Sequence, residues 1–121
     1  MRMLIIDDSS TMRNYLAAIV ADLGIETEQA HDGADGLEVL ANRPAFEAAL
    51  VDWDMPRMNG IEFVRAVRNL PEFAELKLMM VTSHNSMQDV RAALACGADD
   101  FLMKPVDSAM VADKLAMLGL L

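Results

Sequence analysis

Three short apolar runs, separated by longer and more polar segments, are the feature that most constrains this chain. They occupy residues 3–6, 48–51 and 78–81, and polar turn residues closely follow the first and third runs. Uninterrupted apolar runs of this length are typical of strands buried on both faces of a sheet. Such strands belong to parallel sheets covered by helices, because parallel neighbours are joined by long crossover connections.

One helix is clearly marked after the first apolar run. Its apolar residues recur every three to four positions, which places them on one helical face: Met12, Tyr15, Leu16, Ile19, Val20 and Leu23. Ser9 or Ser10 is the expected N-terminal cap, and Gly24 stands where the end of a helix favours a left-handed residue. We therefore predict an amphipathic helix whose apolar stripe packs on the core.

The other elements are predicted from similar features. Residues 25–30 and 100–103 have the length of strands but are more polar, which suits the edges of a sheet. Asn59 is an expected helix cap, and Pro44 and Pro71 are expected to stop the helices that precede them. The remaining predicted helices cover residues 34–42, 60–70, 86–95 and a last segment from 107 or 108 to 118.

Strands and helices thus alternate in β-α units joined by short links. This alternation predicts an α/β fold in which right-handed crossovers place helices on both faces of a parallel sheet. The most apolar strands suit the centre of the sheet, so we expect a flavodoxin-like, doubly wound (βα)5 sheet with the strand order 2-1-3-4-5. No repeat or linker interrupts this plan, and residues 1–121 are expected to form a single domain.

Composition excludes several classes of protein. The 121 residues carry a formal charge of −9 and the pI is near 4.4, which disfavours contact with nucleic acid or anionic lipid through bulk electrostatics. The single cysteine, Cys96, excludes a disulfide within the chain. No apolar run has the length of a membrane span, and the N-terminal residues do not fit a signal peptide. The expected location is therefore the cytoplasm, without membrane insertion.

Charged and hydroxyl side chains stand at the carboxyl ends of four predicted strands. Asp7 and Asp8 follow the first strand, Asp52 the third, Thr82 the fourth and Lys104 the fifth. In a sheet of this order, these ends meet beside the switch point between strands 1 and 3. Carboxylates that are brought together repel one another, so we expect a raised pKa for at least one of them in the absence of a cation.

This set of side chains indicates a divalent cation and a phosphoryl group. A few carboxylate ligands suit Mg²⁺, with Mn²⁺ as an alternative, and Mg²⁺ often bridges to phosphoryl oxygens. Lys104 and Thr82 offer a positive charge and a hydroxyl donor to such oxygens. Asp52 lies on the central strand between the acid pair and these two groups, so we predict that its carboxylate is the nucleophile.

These residues, in this order on alternating strands and helices, resemble the CheY-like receiver domain of two-component response regulators. The resemblance covers essentially the whole chain and depends on separated motif positions: Asp7-Asp8, Asp52, Thr82 and Lys104-Pro105. Residues 8–13 and 52–56 are similar as well. A single Lys-Pro dipeptide would indicate nothing, whereas the ordered set is specific.

The resemblance implies that Asp52 takes a phosphoryl group from the phosphohistidine of a sensor histidine kinase or phosphotransfer protein. Thr82 and Lys104 are expected to hold the phosphoryl oxygens. The chain is then expected to be a regulator that assists its own phosphorylation and dephosphorylation, not an enzyme.

The family also implies a set of Mg²⁺ ligands. The direct ligands are expected to be Asp8, Asp52 and the main-chain carbonyl of Asp54, whereas Asp7 acts mainly through water. Asp54 and His84 occupy positions that vary among receivers and tune the lifetime of the phosphoryl group.

A conformational switch is implied in the same way. Thr82 is expected to move toward the phosphoryl group, and the aromatic residue three positions before the lysine is expected to turn inward. That residue is Phe101, whereas chemotaxis members usually have Tyr. The Lys104-Pro105 bond is often cis in this family. The face formed by the fourth helix, fifth strand and fifth helix is expected to control a downstream protein, in chemotaxis or another pathway, and carries Met87, Met103, Met110 and Met117.

Three other interpretations stay open at this point. The chain would also fit a receiver excised from a larger regulator with an output domain. Asp52 and Asp54 match the acid pair of haloacid-dehalogenase-type phosphatases, but Pro56 stands where that family has Thr or Val. A flavodoxin-like flavin binder would share the fold, but Asp7 and Asp8 would repel its phosphate.

Overall fold

The computed structural model describes residues 1–43 and 46–121. Within them, parallel strands form a single sheet in the order β2-β1-β3-β4-β5, which confirms the predicted topology. The strands are β1 (Arg2–Ile6), β2 (Glu26–Ala30), β3 (Ala48–Asp52), β4 (Lys77–Thr82) and β5 (Asp100–Met103). β1, β3 and β4 are buried almost throughout, whereas the edge strand β2 is largely accessible, as its polar sequence predicted.

The helices follow the predicted pattern with small shifts at their ends. They are α1 (Ser10–Ala21), α2 (Gly33–Asn42), α3 (Gly60–Arg68), α4 (Met87–Ala95) and α5 (Ser108–Met117). α3 ends at Arg68, two residues before the predicted end, and Pro71, which was expected to stop it, also begins a short 3-10 helix, Pro71–Phe73. The expected stop at Pro44 lies outside the described residues. None of the described helices combines the length and hydropathy that a membrane span needs.

Side-chain caps fix where the helices begin. The Ser9 hydroxyl accepts a hydrogen bond from the amide of Met12 at 3.2 Å and caps α1. Asn59 and Glu62 form a reciprocal capping box at the start of α3, in which each side chain accepts from the other's amide. Gly24 has φ +77°, which confirms its predicted left-handed conformation after α1. These caps satisfy amides that would otherwise lack partners at the helix ends.

The core consists of two layers, one on each face of the sheet. Alternate strand residues face α2, α3 and α4 on one side and α1 and α5 on the other, as the two-residue period of a strand requires. In α1, Leu16 and Val20 are fully buried. The prediction that Tyr15 belongs to the buried stripe is wrong, since its side chain is exposed and its hydroxyl donates to the carbonyl of Val106.

Gly60 brings the start of α3 against the end of β3. Its amide donates to the carbonyl of Trp53 at 2.8 Å. A Cβ at this position would lie 2.6 Å from the carbonyl oxygen of Asp52 and 2.9 Å from the Cα of Trp53. The side-chain methyl carbon of Met80 would also lie at 2.6 Å, but the two backbone atoms cannot move aside, so only a residue without a side chain allows α3 to begin this close to Asp52.

We expect Gly60→Ala to lower the free energy of unfolding by about 1–3 kcal/mol, because the added methyl group must displace backbone. Gly33→Ala is the matched control, since Gly33 also begins a helix and its Cβ would meet only the flexible side chain of Met58. Chemical denaturation of both variants measures the difference. Equal losses of stability would contradict the proposed backbone constraint.

Candidate functional site

The five side chains predicted for the site lie at the carboxyl ends of the strands: Asp7, Asp8, Asp52, Thr82 and Lys104. The three carboxylates come from the neighbouring strands β1 and β3, and one oxygen of each lies within 4.8 Å of the others. The ammonium group of Lys104 donates to Oδ1 of Asp52 at 3.1 Å. The arrangement therefore places three negative charges and one positive charge in a small volume.

Asp7 is the most confined of these carboxylates. Its side chain is buried, and Oδ1 accepts a hydrogen bond from the amide of Ser9 at 2.9 Å. Oδ2 is buried without a hydrogen-bond partner among the described residues. The pKa of Asp7 is raised from 3.8 to about 6, chiefly by burial; the hydrogen bond from the Ser9 amide and the charge of Lys104 oppose the rise, whereas the charges of Asp52 and Asp8 add to it.

Asp52 is also buried, at the end of the central strand β3. Burial is the largest cause of its raised pKa, Lys104 opposes the rise, and the nearby charges of Asp54 and Asp8 add to it. The sequence predicted a raised pKa from repulsion between carboxylates. The prediction is confirmed, but loss of solvation contributes more than repulsion for both Asp7 and Asp52.

The carboxylate cluster fits a small divalent cation. Asp8 lies on the exposed side, so an ion can enter with part of its hydration shell. The unpartnered Oδ2 of Asp7 is an acceptor that a metal-bound water would satisfy. Carboxylate-only ligands match the preference of Mg²⁺ for oxygen. The cluster of Asp7, Asp8 and Asp52 is thus able to hold such an ion.

Thr82 lies at the end of β4, and its side chain is buried. Its hydroxyl oxygen accepts a hydrogen bond from the amide of His84 at 2.8 Å, which orients the hydroxyl group. Lys104 follows β5, and its amide donates to the carbonyl of Thr82 at 2.8 Å. The peptide bond between Lys104 and Pro105 is cis. Backbone hydrogen bonding therefore keeps Thr82 and Lys104 side by side.

A cluster around His84 adjoins the site. Its Nε2 lies 3.0 Å from Oδ1 of Asp54, and its Nδ1 lies 3.5 Å from Oδ2 of Asp89 at the start of α4. The imidazole stacks on Trp53, with ring centroids 4.5 Å apart. The hydrogen bond with Asp54 is the largest cause of the raised pKa of His84.

The family resemblance implied that His84 and Asp54 tune the lifetime of the phosphoryl group and that the main-chain carbonyl of Asp54 binds metal, but it did not predict that the two side chains pair. The one available signal was that both lie two residues beyond a motif position. Their pairing also shows that the side chain of Asp54 faces His84, while its main-chain carbonyl is the atom that the sequence assigned to metal.

Phe101 lies in β5, partly buried against the core layer of α2, α3 and α4. The ammonium group of Lys114 lies 5.5 Å from the centre of its ring and donates to Oδ1 of Asp100 at 3.0 Å. Two of the four methionines predicted for this face are strongly exposed, Met87 at 69% and Met117 at 74%. The α4-β5-α5 face therefore combines an aromatic ring, a paired cation and accessible apolar side chains.

The fold and the site together define a class of protein. Residues 3–116 match the family described as "Response regulator receiver domain". The chain belongs to this family and is a two-component response regulator domain. This assignment decides against the phosphatase and flavin-binder alternatives, and receiver domains are regulators.

Individual relatives come from chemotaxis. The chain is 33% identical over 116 residues to "Chemotaxis protein CheY1" of Helicobacter pylori, covering 95% of this chain and 94% of that protein. It is 33% identical over 116 residues to "Chemotaxis protein CheY-3" of Vibrio cholerae, covering 95% and 88%. The solved structure of Vibrio cholerae CheY4 superposes with a TM-score of 0.88 at 31% identity and 97% coverage of both chains. The chain is thus homologous to CheY proteins.

We expect Asp7→Asn to stabilise the metal-free protein above pH 6. The pKa of Asp7 is about 6 in the folded protein and 3.8 for an ordinary, solvated Asp, as in the unfolded chain. Between these two pH values the folded state holds the proton more tightly than the unfolded state, so the free energy of unfolding falls as the pH rises. Removing the charge should recover about 3 kcal/mol at pH 7 and nothing below pH 3.8.

Urea denaturation from acid to neutral pH in the presence of a chelator measures this difference. Asp113→Asn is the control, because Asp113 is exposed and has no ion pair among the described residues. Parallel pH curves for Asp7→Asn and wild type would show that burial of Asp7 carries no such cost.

Proposed function

We propose that this receiver is a Mg²⁺-dependent phosphoacceptor switch in which Asp52 accepts a phosphoryl group from a sensor histidine kinase or phosphotransfer protein. The observation that carries the proposal is the position of the Asp52 carboxylate, between two further carboxylates and the ammonium group of Lys104 at 3.1 Å. Residues 1–121 act as one receiver unit in this proposal, and the cytoplasmic location stays a prediction.

Each side chain of the site has a task in the proposed transfer. A carboxylate oxygen of Asp52 forms the new bond to phosphorus as the bond to the donor's histidine nitrogen breaks. Because a carboxylate is already ionised above its pKa, no general base is needed. Lys104 leaves its ion pair with Asp52 and neutralises a phosphoryl oxygen, while the Thr82 hydroxyl donates to another.

The residues that would hold Mg²⁺ are Asp8, Asp52 and the main-chain carbonyl of Asp54, with Asp7 acting through a water molecule. When bound, the ion neutralises carboxylate charge and charge on the phosphoryl oxygens. Its absence leaves Asp7 and Asp52 with raised pKa values, so protonation competes with ion binding.

The output follows from rearrangement of Thr82. A hydroxyl both accepts and donates, so Thr82 can donate to a phosphoryl oxygen while its oxygen still accepts from the His84 amide, and a movement of Thr82 toward that oxygen would carry the His84 segment with it. We propose that this movement and an inward turn of Phe101 change the α4-β5-α5 face, which then controls a downstream protein partner. Phe101 has no hydroxyl, so the partner recognises its ring and the nearby Lys114.

We expect acetyl phosphate with Mg²⁺ to add one phosphoryl group to the wild-type chain at Asp52. Intact-protein mass spectrometry measures the gain, which Asp52→Ala should abolish. Asp54→Ala is the matched control, since it removes a neighbouring exposed carboxylate but keeps the main-chain carbonyl. Equal phosphorylation of wild type and Asp52→Ala would overturn the assignment of the acceptor.

Mg²⁺ is expected to quench or shift the fluorescence of Trp53, the only tryptophan. Its ring is adjacent in sequence to Asp52 and stacks on His84, which binds Asp54, so an ion at the carboxylates changes its surroundings. Asp8→Ala should abolish the response, and Glu38→Ala, which removes an exposed acid from α2, should preserve it. A titration that Asp8→Ala leaves unchanged would argue against this metal site.

A further inference from the structure

A groove of about 750 Å³ opens at the amino ends of β3 and β4, away from the carboxylate site. We call it the amino-end groove. Its walls come from the C-terminal half of α2, residues 46–47 and residues 70–76. The groove lies at the start of β3 and Asp52 lies at its end. The five residues of this strand span about 17 Å, because an extended chain rises about 3.3 Å per residue. A molecule in this groove would therefore not touch Asp52.

The floor of the groove is apolar and continuous with the core. Leu40 and Leu76 are buried members of the core layer, and Leu37, Phe46 and Phe73 are partly buried against it. Leu70 at the edge is 38% exposed and extends the apolar floor to the surface. The groove thus exposes apolar surface to water, and covering this surface would be favourable.

The rim of the groove is acidic. Glu47, Glu72 and Glu75 line it, and none of them has an ion pair within the described part of the chain. Arg43 is the basic residue of the lining, and its guanidinium group already pairs with Glu28 at 3.4 Å. The unpaired charge around the apolar floor is therefore negative.

One wall of the groove is held rigidly by Arg68. Its guanidinium group donates to the carbonyl oxygens of Phe73 at 3.1 Å and Leu76 at 2.8 Å. The same group donates to the carbonyl of Gly97 and to the carboxylate of Asp99. A wall that is ordered in advance binds a partner without a large loss of conformational entropy.

We infer that the amino-end groove docks a segment of a partner protein in which apolar side chains are flanked by Lys or Arg. The apolar floor receives the apolar side chains, and the three glutamates pair with the basic ones. A small-molecule site would place buried polar groups at fixed positions, whereas the charged residues of this lining are all exposed. This contact is independent of the phosphoacceptor site and of the α4-β5-α5 face.

The test uses the full chain and a short fluorescein-labelled amphipathic helix made of leucine and lysine as the probe. Fluorescence anisotropy measures its affinity, and amide chemical shifts locate it. We expect the amides of Phe46, Phe73 and Leu76 to shift, and Asp52→Ala to bind as wild type does, so failure of the proposed phosphotransfer leaves this result unaffected.

Two pairs of variants separate a specific groove from general attraction to an acidic protein. Glu72→Lys with Glu75→Lys should weaken binding about tenfold, whereas Asp22→Lys with Asp113→Lys, which makes the same change in net charge outside the groove, should change it less than about twofold. Leu70→Ser should also weaken binding about tenfold, and Leu94→Ser, at a similarly exposed leucine of α4, should not.

Several outcomes would overturn the inference. These are no measurable binding, equal weakening by the control variants, or amide shifts that centre on the carboxylate cluster. Concentration-dependent self-association that Leu70→Ser abolishes would assign the groove to a second copy of the chain instead. Circular dichroism of each variant checks that it is folded, and Leu70 and Leu94 are exposed, so their substitution by Ser leaves the core intact.

Discussion

The conflict between burial and charge at the ends of β1 and β3 is the constraint on which the rest of the site depends. Asp7 and Asp52 lose most of their hydration because the apolar central strands carry them to the edge of the core. The chain offsets this cost only in part, through the amide of Ser9 and the ammonium group of Lys104. The part of the desolvation free energy that is not offset favours binding of a proton, of a cation, or of a phosphoryl group together with a cation. This preference is a property of the folded chain itself.

Much of the fold was predictable because the strands differ so clearly in polarity. The apolar β1, β3 and β4 had to be central, and polar residues in β2 placed it at the edge, which fixes the strand order once the crossovers are right-handed. Exact helix ends were less predictable: α3 ends at Arg68 and not near Leu70, and Pro71 begins a 3-10 helix that no sequence pattern had indicated. Tyr15 fits the apolar period of α1, but its hydroxyl finds a carbonyl at the surface instead.

The residues of the candidate site could be predicted from the sequence, but the contacts around them could not. Strand ends converge by topology alone, so Asp7, Asp52 and Lys104 could be brought together without coordinates. The pairing of His84 with Asp54 depends on the conformation of two loops 30 residues apart, which no local pattern encodes. It matters nevertheless, because the same imidazole reaches toward Asp89 and thereby connects the loop after the acceptor with the start of α4.

Arg68 has a consequence for how the molecule opens. Its guanidinium group joins α3, the segment before β4 and the segment before β5, and Asp99, its carboxylate partner, also accepts from the amide of Leu78 in β4. Loss of the Arg68 side chain would remove all of these hydrogen bonds from partly buried acceptors at once, which costs free energy. The amino ends of β4 and β5 are therefore joined to the end of α3 through one side chain, and we expect them to open together.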